Sequence, residues 1–149
     1  MVSKMKYTLS PAQKDDIETV FRLNKELIDK YENINEIDYR EVLRQVRGGI
    51  VQNILLYRRI MCSDEAAGFV LVEKRPDVIE LDDLFLFPKF QNKGIGTAII
   101  RDIIQNSDKP VSLCVFIENK GAVRLYERLG FEIVETIHDT RYRMIYDKR

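Results

Sequence analysis

The stretch from residue 78 to residue 117 constrains this chain most. Val78 to Phe87 reads as a strand, and Pro88 ends it. The sequence QNKGIG follows at residues 91 to 96 and opens a helix from about Gly94 to Asn106. That helix puts Ile95, Ile99 and Ile103 on its buried face, with Ile100 and Ile104 alongside. Lys109-Pro110 breaks it, and Val111 to Ile117 is almost wholly apolar, as expected of a strand covered on both faces. A strand, a helix and a second strand in that order argue for one parallel, right-handed crossover.

The rest of the chain surrounds this unit with antiparallel signals. Lys6 to Ser10 reads as a short first strand. Ser10-Pro11-Ala12-Gln13 resembles a capping box with proline at the first helical position, and a start nearer Asp15 is the alternative. Ile17, Val20, Phe21, Asn24, Leu27, Ile28 and Tyr31 form one helical stripe, interrupted only by Asn24. Tyr39, Val42, Leu43 and Val46 suggest a second helix ending at Gly48-Gly49. Ile50 to Met61, Ala66 to Glu73 and Val78 to Phe87 then read as a meander turning at Ser63-Asp64-Glu65 and Arg75-Pro76-Asp77. Asn119 is placed to cap a helix lined by Ala122, Leu125, Tyr126 and Leu129 and ended by Gly130. Phe131 to Ile137 and Tyr142 to Tyr146 close the chain as a hairpin around Asp139-Thr140. The order is β-α-α-β-β-β-α-β-α-β-β. It predicts an α+β fold, a mixed and mostly antiparallel sheet of about 6–7 strands flanked by about 4 helices.

The totals narrow the function classes. At 149 residues the chain is expected to be a single domain, 1–149, with a core that needs no staples. It carries 24 Lys plus Arg and 24 Asp plus Glu, so no global field favours nucleic acid or a membrane surface. No apolar run reaches membrane-spanning length, and MVSKMKYTLS lacks the apolar core of a signal peptide, so a cytoplasmic protein is expected. Cys62 and Cys114 lie in apolar runs and are expected to be buried thiols. With His138 as the only histidine, no metal site is expected.

QNKGIG has two readings. A helix N-terminus carries unpartnered N–H groups and partial positive charge, and glycine lets an anion approach closely. Lys93 would add charge and Thr97 a hydroxyl. The other reading is that the glycines only allow tight helix–strand packing. Two nucleotide motifs fail: the Walker A spacing is absent, and Gly94-x-Gly96 is followed by Ile99 where a dinucleotide fingerprint needs glycine.

A longer comparison adds to this. The segment LFLFPKFQNKGIGT, residues 84 to 97, resembles the signature of the GNAT superfamily of acetyl-CoA-dependent N-acetyltransferases: apolar strand, proline, aromatic, then Gln/Arg-x-x-Gly-x-Gly/Ala. The segment VFIENKGAVRLYERLGF, residues 115 to 131, resembles that family's N-x-x-A-x-x-L-Y-x-x-x-G-F helix. The resemblance is strong over residues 78 to 147, whereas the first 77 residues match in element order alone.

The resemblance implies acetyl transfer from acetyl-CoA directly to a primary amine of a small molecule or peptide. It implies that main-chain groups of Gln91, Asn92, Lys93, Gly94, Ile95 and Gly96, with Thr97, hold the pyrophosphate. Phe85 and Leu86 would pair with the pantetheine arm between two splayed strands, and Asn119 would contact it. Tyr126 would protonate the departing thiolate. A homodimer is common among such proteins, and the pattern calls for neither nucleic acid nor membrane nor metal. A CoA-binding regulatory module with little catalysis is the alternative.

The residues themselves leave competing roles open. Tyr126 lies on an apolar stripe and could be a core tyrosine, and Asn119 is equally a cap. Strand alternation puts Glu80, Asp82 and Leu84 on one face and Leu81, Asp83 and Phe85 on the other. Glu80 and Asp82 rank ahead of Asp83 as the base that deprotonates the amine. Cys114 is better read as packing than as a nucleophile, since only His138 could activate it. His138, Arg141 and Tyr142 sit at the last hairpin, where the acceptor site is often shaped in this family.

Overall fold

A computed structural model describes residues 6–148. Among these residues, seven strands and four α-helices follow the expected order. They are β1 (Thr8–Pro11), α1 (Ile17–Tyr31), α2 (Tyr39–Asn53), β2 (Arg58–Cys62), β3 (Glu65–Lys74), β4 (Ile79–Leu86), α3 (Ile95–Gln105), β5 (Val111–Phe116), α4 (Lys120–Arg128), β6 (Glu132–Ile137) and β7 (Arg141–Tyr146). One sheet runs β1-β2-β3-β4-β5-β7-β6. Among the described residues only the β4–β5 pair is parallel, in agreement with the expected crossover. No helix among the described residues is long and apolar enough to cross a membrane.

The sheet has a core on each face. Ile95, Ile99, Ile100 and Ile104 of α3 and Val123 of α4 pack on Val70, Leu81, Leu113 and Met144. On the other face Val20 and Leu23 of α1 and Ile50 of α2 pack on Phe69, Leu71 and Phe85. Each helix thereby buries one stripe of apolar residues, which stabilises it more than intrinsic propensity does.

Several boundaries differ from the sequence reading. Pro11 belongs to β1, whose bounds shift from Lys6–Ser10 to Thr8–Pro11. The helix starts after a 3-10 turn, Lys14–Asp16, where the Asp16 carboxylate accepts the Gln13 N–H at 2.8 Å. The later start near Asp15 is therefore the one adopted. α2 does not stop at Gly48-Gly49 but runs to Asn53, followed by a 3-10 turn at Ile54–Leu56. Ile50 and Ile54 continue the helical spacing and are both 3% exposed, so their burial outweighs the poor helix propensity of two glycines. The strand read from Ile50 therefore begins only at Arg58. Cys62 is buried as expected, but Cys114 is exposed.

A bulge in the β3–β4 pair overturns the expected alternation along β4. Leu71 pairs with Asp83, but Val72 pairs with Leu81, so Asp82 is an extra residue. A one-residue insertion flips the facing of everything beyond it. Leu81 and Leu84 consequently share the α3–α4 face, while Asp83 and Phe85 turn to the α1–α2 face.

The parallel ladder between β4 and β5 is short. It joins Ile79 to Val111, Glu80 to Ser112 and Leu81 to Leu113, and goes no further. On the other side β4 presses hard on β3. A Cβ at Gly68 would lie 1.8 Å from the Phe85 carbonyl oxygen. Gly68→Ala should therefore destabilise the protein by about 1–3 kcal/mol or more, the usual range for forced overpacking. Gly48→Ala, in an open helical position, should be neutral or stabilising by up to about 1 kcal/mol. Paired thermal unfolding of the two variants checks the contrast.

Candidate functional site

Past Leu81 and Leu113 the two central strands part, and the opening widens into a cleft of about 400 Å³. Main-chain direction within β4 decides what faces it. The Phe87 N–H donates to the Ala67 carbonyl at 2.8 Å, and the Phe85 carbonyl presses on Gly68, so both residues direct their main chain at β3. Alternation then turns Leu84 and Leu86 towards the gap. In agreement, the Leu86 carbonyl accepts from Gln91 Nε2 at 2.9 Å. Phe85, expected to offer main-chain groups alongside Leu86, directs its carbonyl at β3 instead, whereas Leu84 shares the direction of Leu86.

The loop from Gln91 to Thr97 meets the cleft at the start of α3. Gln91, Asn92, Lys93 and Gly94 are exposed, Ile95 is fully buried, and Gly96 and Thr97 are half-buried. Gly94 is the N-cap at φ +83°, and Asn92 also adopts a left-handed φ of +61°. These conformations favour glycine and tolerate asparagine. Ala98 takes the Gly94 carbonyl at 3.0 Å, while the N–H groups of Ile95, Gly96 and Thr97 donate to no acceptor among the described residues. Tight packing does not explain the glycines. A Cβ on Gly94 would meet nothing within 4 Å, and one on Gly96 would make only an ordinary 3.7 Å contact with Leu86. The loop instead presents free donors on a backbone shaped to expose them, with the Lys93 ammonium beside it. That arrangement suits an anion.

Across the gap, Asn119 caps α4 by accepting the Ala122 N–H at 3.4 Å, and Asn119, Ala122 and Tyr126 line the cleft. The Tyr126 ring packs edge-on to Phe131 at 5.9 Å. Its hydroxyl makes no hydrogen bond with any described residue, and burial raises its pKa above the ordinary tyrosine range. The ring is partly buried against the core while the hydroxyl stays accessible from the cleft. Cys114 lies in the cleft wall between these elements and the acidic side. Loss of water around its sulfur raises the thiol pKa, against the pull of Arg143 and Arg141. The charged groups acting on it are Arg143, Arg141, Glu80 and Asp82, not His138, so the nucleophile reading has no activating base.

The bulge brings three carboxylates together on one side. Glu73, Glu80 and Asp82 have oxygens within 4.8 Å of one another. Glu80 is held by Arg75 at 3.2 Å and approached by Arg143 at 4.0 Å, and it does not line the cleft. Asp82 does line it. Desolvation at the cleft mouth and the charges of Glu73, Glu80 and Asp83 push its pKa up to about 7. Asp83 accepts hydrogen bonds from the Tyr57 hydroxyl and from Asn24, yet burial pushes it up to about 6. Asp82 and Asp83 are thus carboxylates whose pKa is raised towards neutral pH.

Two of these contributors escaped the sequence reading. Asn24 was visible only as the polar break in an apolar stripe, and Tyr57 lay inside a segment read as strand. At the last hairpin Arg141 lines the cleft, whereas His138 and Asp139 form the exposed turn at φ +50° and +61°. Tyr142 packs into the core beneath α3 and α4.

Comparison with known proteins gives a consistent picture. The model of the acetyltransferase (GNAT) family matches residues 21–131. Over 70 residues, 44% of the chain, the sequence is 44% identical to an uncharacterised N-acetyltransferase of Methanocaldococcus jannaschii, of which it covers 30%. Over 57 residues, 35% of the chain, it is 35% identical to a spermine/spermidine N(1)-acetyltransferase of Bacillus subtilis, of which it covers 38%. The chain thus spans less than half the length of these curated relatives. In fold it is similar to an N-acetyltransferase of Thermoplasma acidophilum solved in complex with coenzyme A. The TM-score is 0.71 at 19% identity, over 96% of this chain and 99% of that one.

The raised Asp82 pKa has a stability consequence. An acid whose pKa is higher folded than unfolded contributes stability below its unfolded value, here near 3.8, and that contribution is lost as pH rises towards about 7. Asp82→Asn removes the dependence. The variant should gain on the wild type between pH 4 and pH 7 by on the order of 1 kcal/mol, a figure reduced for solvent screening. Parallel unfolding curves across that pH range check it.

Proposed function

The chain belongs to the acetyltransferase (GNAT) family, and from that premise we propose that it transfers an acetyl group from acetyl-CoA directly to a primary amine. The observation that carries this reading is the Tyr126 hydroxyl, which makes no hydrogen bond with any described residue and opens onto the cleft towards which Leu84 and Leu86 turn their main chain.

The residues fit the parts of acetyl-CoA. Free N–H groups of Ile95, Gly96 and Thr97, with Lys93, suit the pyrophosphate. The main chain of Leu84 and Leu86 suits the amide-bearing pantetheine arm, with Asn119 on the opposite wall. For Leu86 this requires the Gln91 carboxamide to release its carbonyl.

Asp82 accepts the proton that the acceptor ammonium must lose, directly or through a water, and its pKa near 7 suits that task. The neutral amine attacks the thioester carbonyl. A main-chain N–H of the gap, from Leu84 or Leu86, stabilises the oxyanion. The C–N bond forms, the C–S bond breaks, Tyr126 gives its proton to the departing thiolate, and the proton shed by the new amide nitrogen restores the phenol. Because burial keeps the phenol protonated, it serves as an acid at neutral pH. Asp83, held by Tyr57 and Asn24, adds negative potential that favours a cationic acceptor. Glu80 has an electrostatic role through Arg75 and Arg143.

Calorimetry with CoA should show stoichiometric binding, weakened in Gly94→Ala, where a side chain at φ +83° costs roughly 1–2 kcal/mol. No binding at millimolar CoA would end this reading. Tyr126→Phe should bind CoA normally but lower kcat by about a hundredfold or more, the usual worth of a positioned acid. Normal binding by the wild type without thiol release from any amine would point instead to a CoA-sensing module.

A further inference from the structure

The cleft has a second end, beyond the reacting groups. α1 finishes at Tyr31, and the next side chain, Glu32, is only 6% exposed and lies 3.5 Å from the Arg141 guanidinium. That guanidinium sits 5.5 Å from the centre of the Phe116 ring, and Phe116 stacks on Tyr31 at 5.9 Å. Four side chains from the end of α1, from β5 and from β7 thus meet across the cleft. The wall they make is partly buried: Arg141 Nε and Thr140 Oγ1 are inaccessible and make no hydrogen bond with any described residue, while the Arg141 side chain as a whole is 40% exposed.

The space between this wall and the acidic side has a definite length and character. Asn24 hydrogen-bonds Asp83, and Glu32 follows eight residues later along the same helix, roughly 12 Å further at 1.5 Å per residue. Leu27, Ile28, Val42 and Val46 line that stretch. Its near end is anionic through Asp82 and Asp83. Its far end carries no net charge, because Arg141 neutralises Glu32.

We infer that the acceptor is a small primary amine with an apolar body no longer than about 12 Å, and that the Glu32–Arg141 pair sets this limit. The inference rests on the acetyl-transfer reading above and deepens it. The ammonium sits at Asp82 and Asp83, and the body lies along α1 and α2 and stops at the wall. A diamine gains nothing, since its second ammonium meets a neutral ion pair in place of a free carboxylate. An extended hexapeptide, about 20 Å long at 3.3 Å per residue, does not fit unless the wall opens.

The test measures CoA release with hexylamine, 1,6-diaminohexane and a hexapeptide amide bearing a free N-terminus. The wild type should use hexylamine at least as well as the diamine. It should use the hexapeptide roughly a hundredfold less well in kcat/KM, a discrimination of the size that pocket fit supplies. Arg141→Ala and Glu32→Ala should each raise the hexapeptide-to-hexylamine ratio by about tenfold, mainly through KM, corresponding to about 1.4 kcal/mol. Thermal unfolding establishes that each variant is folded, and Arg141→Lys, which keeps the charge, should fall between. A wild type that prefers the diamine, or that accepts the hexapeptide within a few-fold of hexylamine, overturns the inference. So does an unchanged ratio in both folded variants. CoA binding with no release from any of the three amines overturns it while leaving the donor site standing; failure of the wild type to bind CoA removes both.

Discussion

Everything at this site depends on a hydrogen-bond ladder that stops early. β4 and β5 pair in parallel through Leu81 and Leu113 and then part. Buried main-chain groups need partners, so strands that part must offer their donors and acceptors to something else. Here Leu84 and Leu86 are turned into the gap, and the Leu86 carbonyl is met by the Gln91 side chain. The strands stay apart because each is held from its outer side. β3 presses on β4 at Gly68, and β7 pairs with β5 along its whole length from Val111 to Phe116. α3 and α4 cover one face, and their termini bring the Gly94 loop and Tyr126 to the two rims of the gap.

The bulge at Asp82 supplies the chemistry of the opposite rim. Without it, Asp83 would point into the α3–α4 core and Leu84 towards α1 and α2. With it, Asp83 meets Tyr57 and Asn24, and Asp82 comes beside Glu73 and Glu80. Arg75 and Arg143 hold Glu80, while Asp82 and Asp83 have their pKa values raised towards neutral pH. A local insertion thus converts three adjacent acidic residues into groups with distinct roles: one ion-paired, one buried and hydrogen-bonded, one open to the cleft.

Much of this was legible in the sequence. The isoleucine spacing of α3, Pro88, Gly130 and the apolar run of β5 fixed the crossover, because each encodes a local preference that packing reinforces. The GNAT resemblance placed the loop and Tyr126 because those segments are contiguous. Other features were not legible, for physical reasons. Gly48-Gly49 looked like a stop, but Ile50 and Ile54 pull the helix onward into a core that only the folded sheet provides. The facing of Asp82, Asp83 and Leu84 depends on a register shift against Val72, which no property of β4 alone reveals. The exposure of Cys114 follows from strands parting, and a strictly apolar strand pattern reads as continuous burial. The wall of Glu32 and Arg141 joins residues more than a hundred positions apart, beyond the reach of any local pattern.

CoA binding in the gap between β4 and β5, continuous with the start of α3, can be observed residue by residue. Backbone amide NMR during titration with CoA tests it most directly. The largest shifts should fall on Leu84, Leu86 and Ile95 to Thr97, with smaller ones near Asn119 and little change in β1 and β2. Shifts that leave Leu84 and Leu86 untouched, or that centre on the far edges of the sheet, would contradict it.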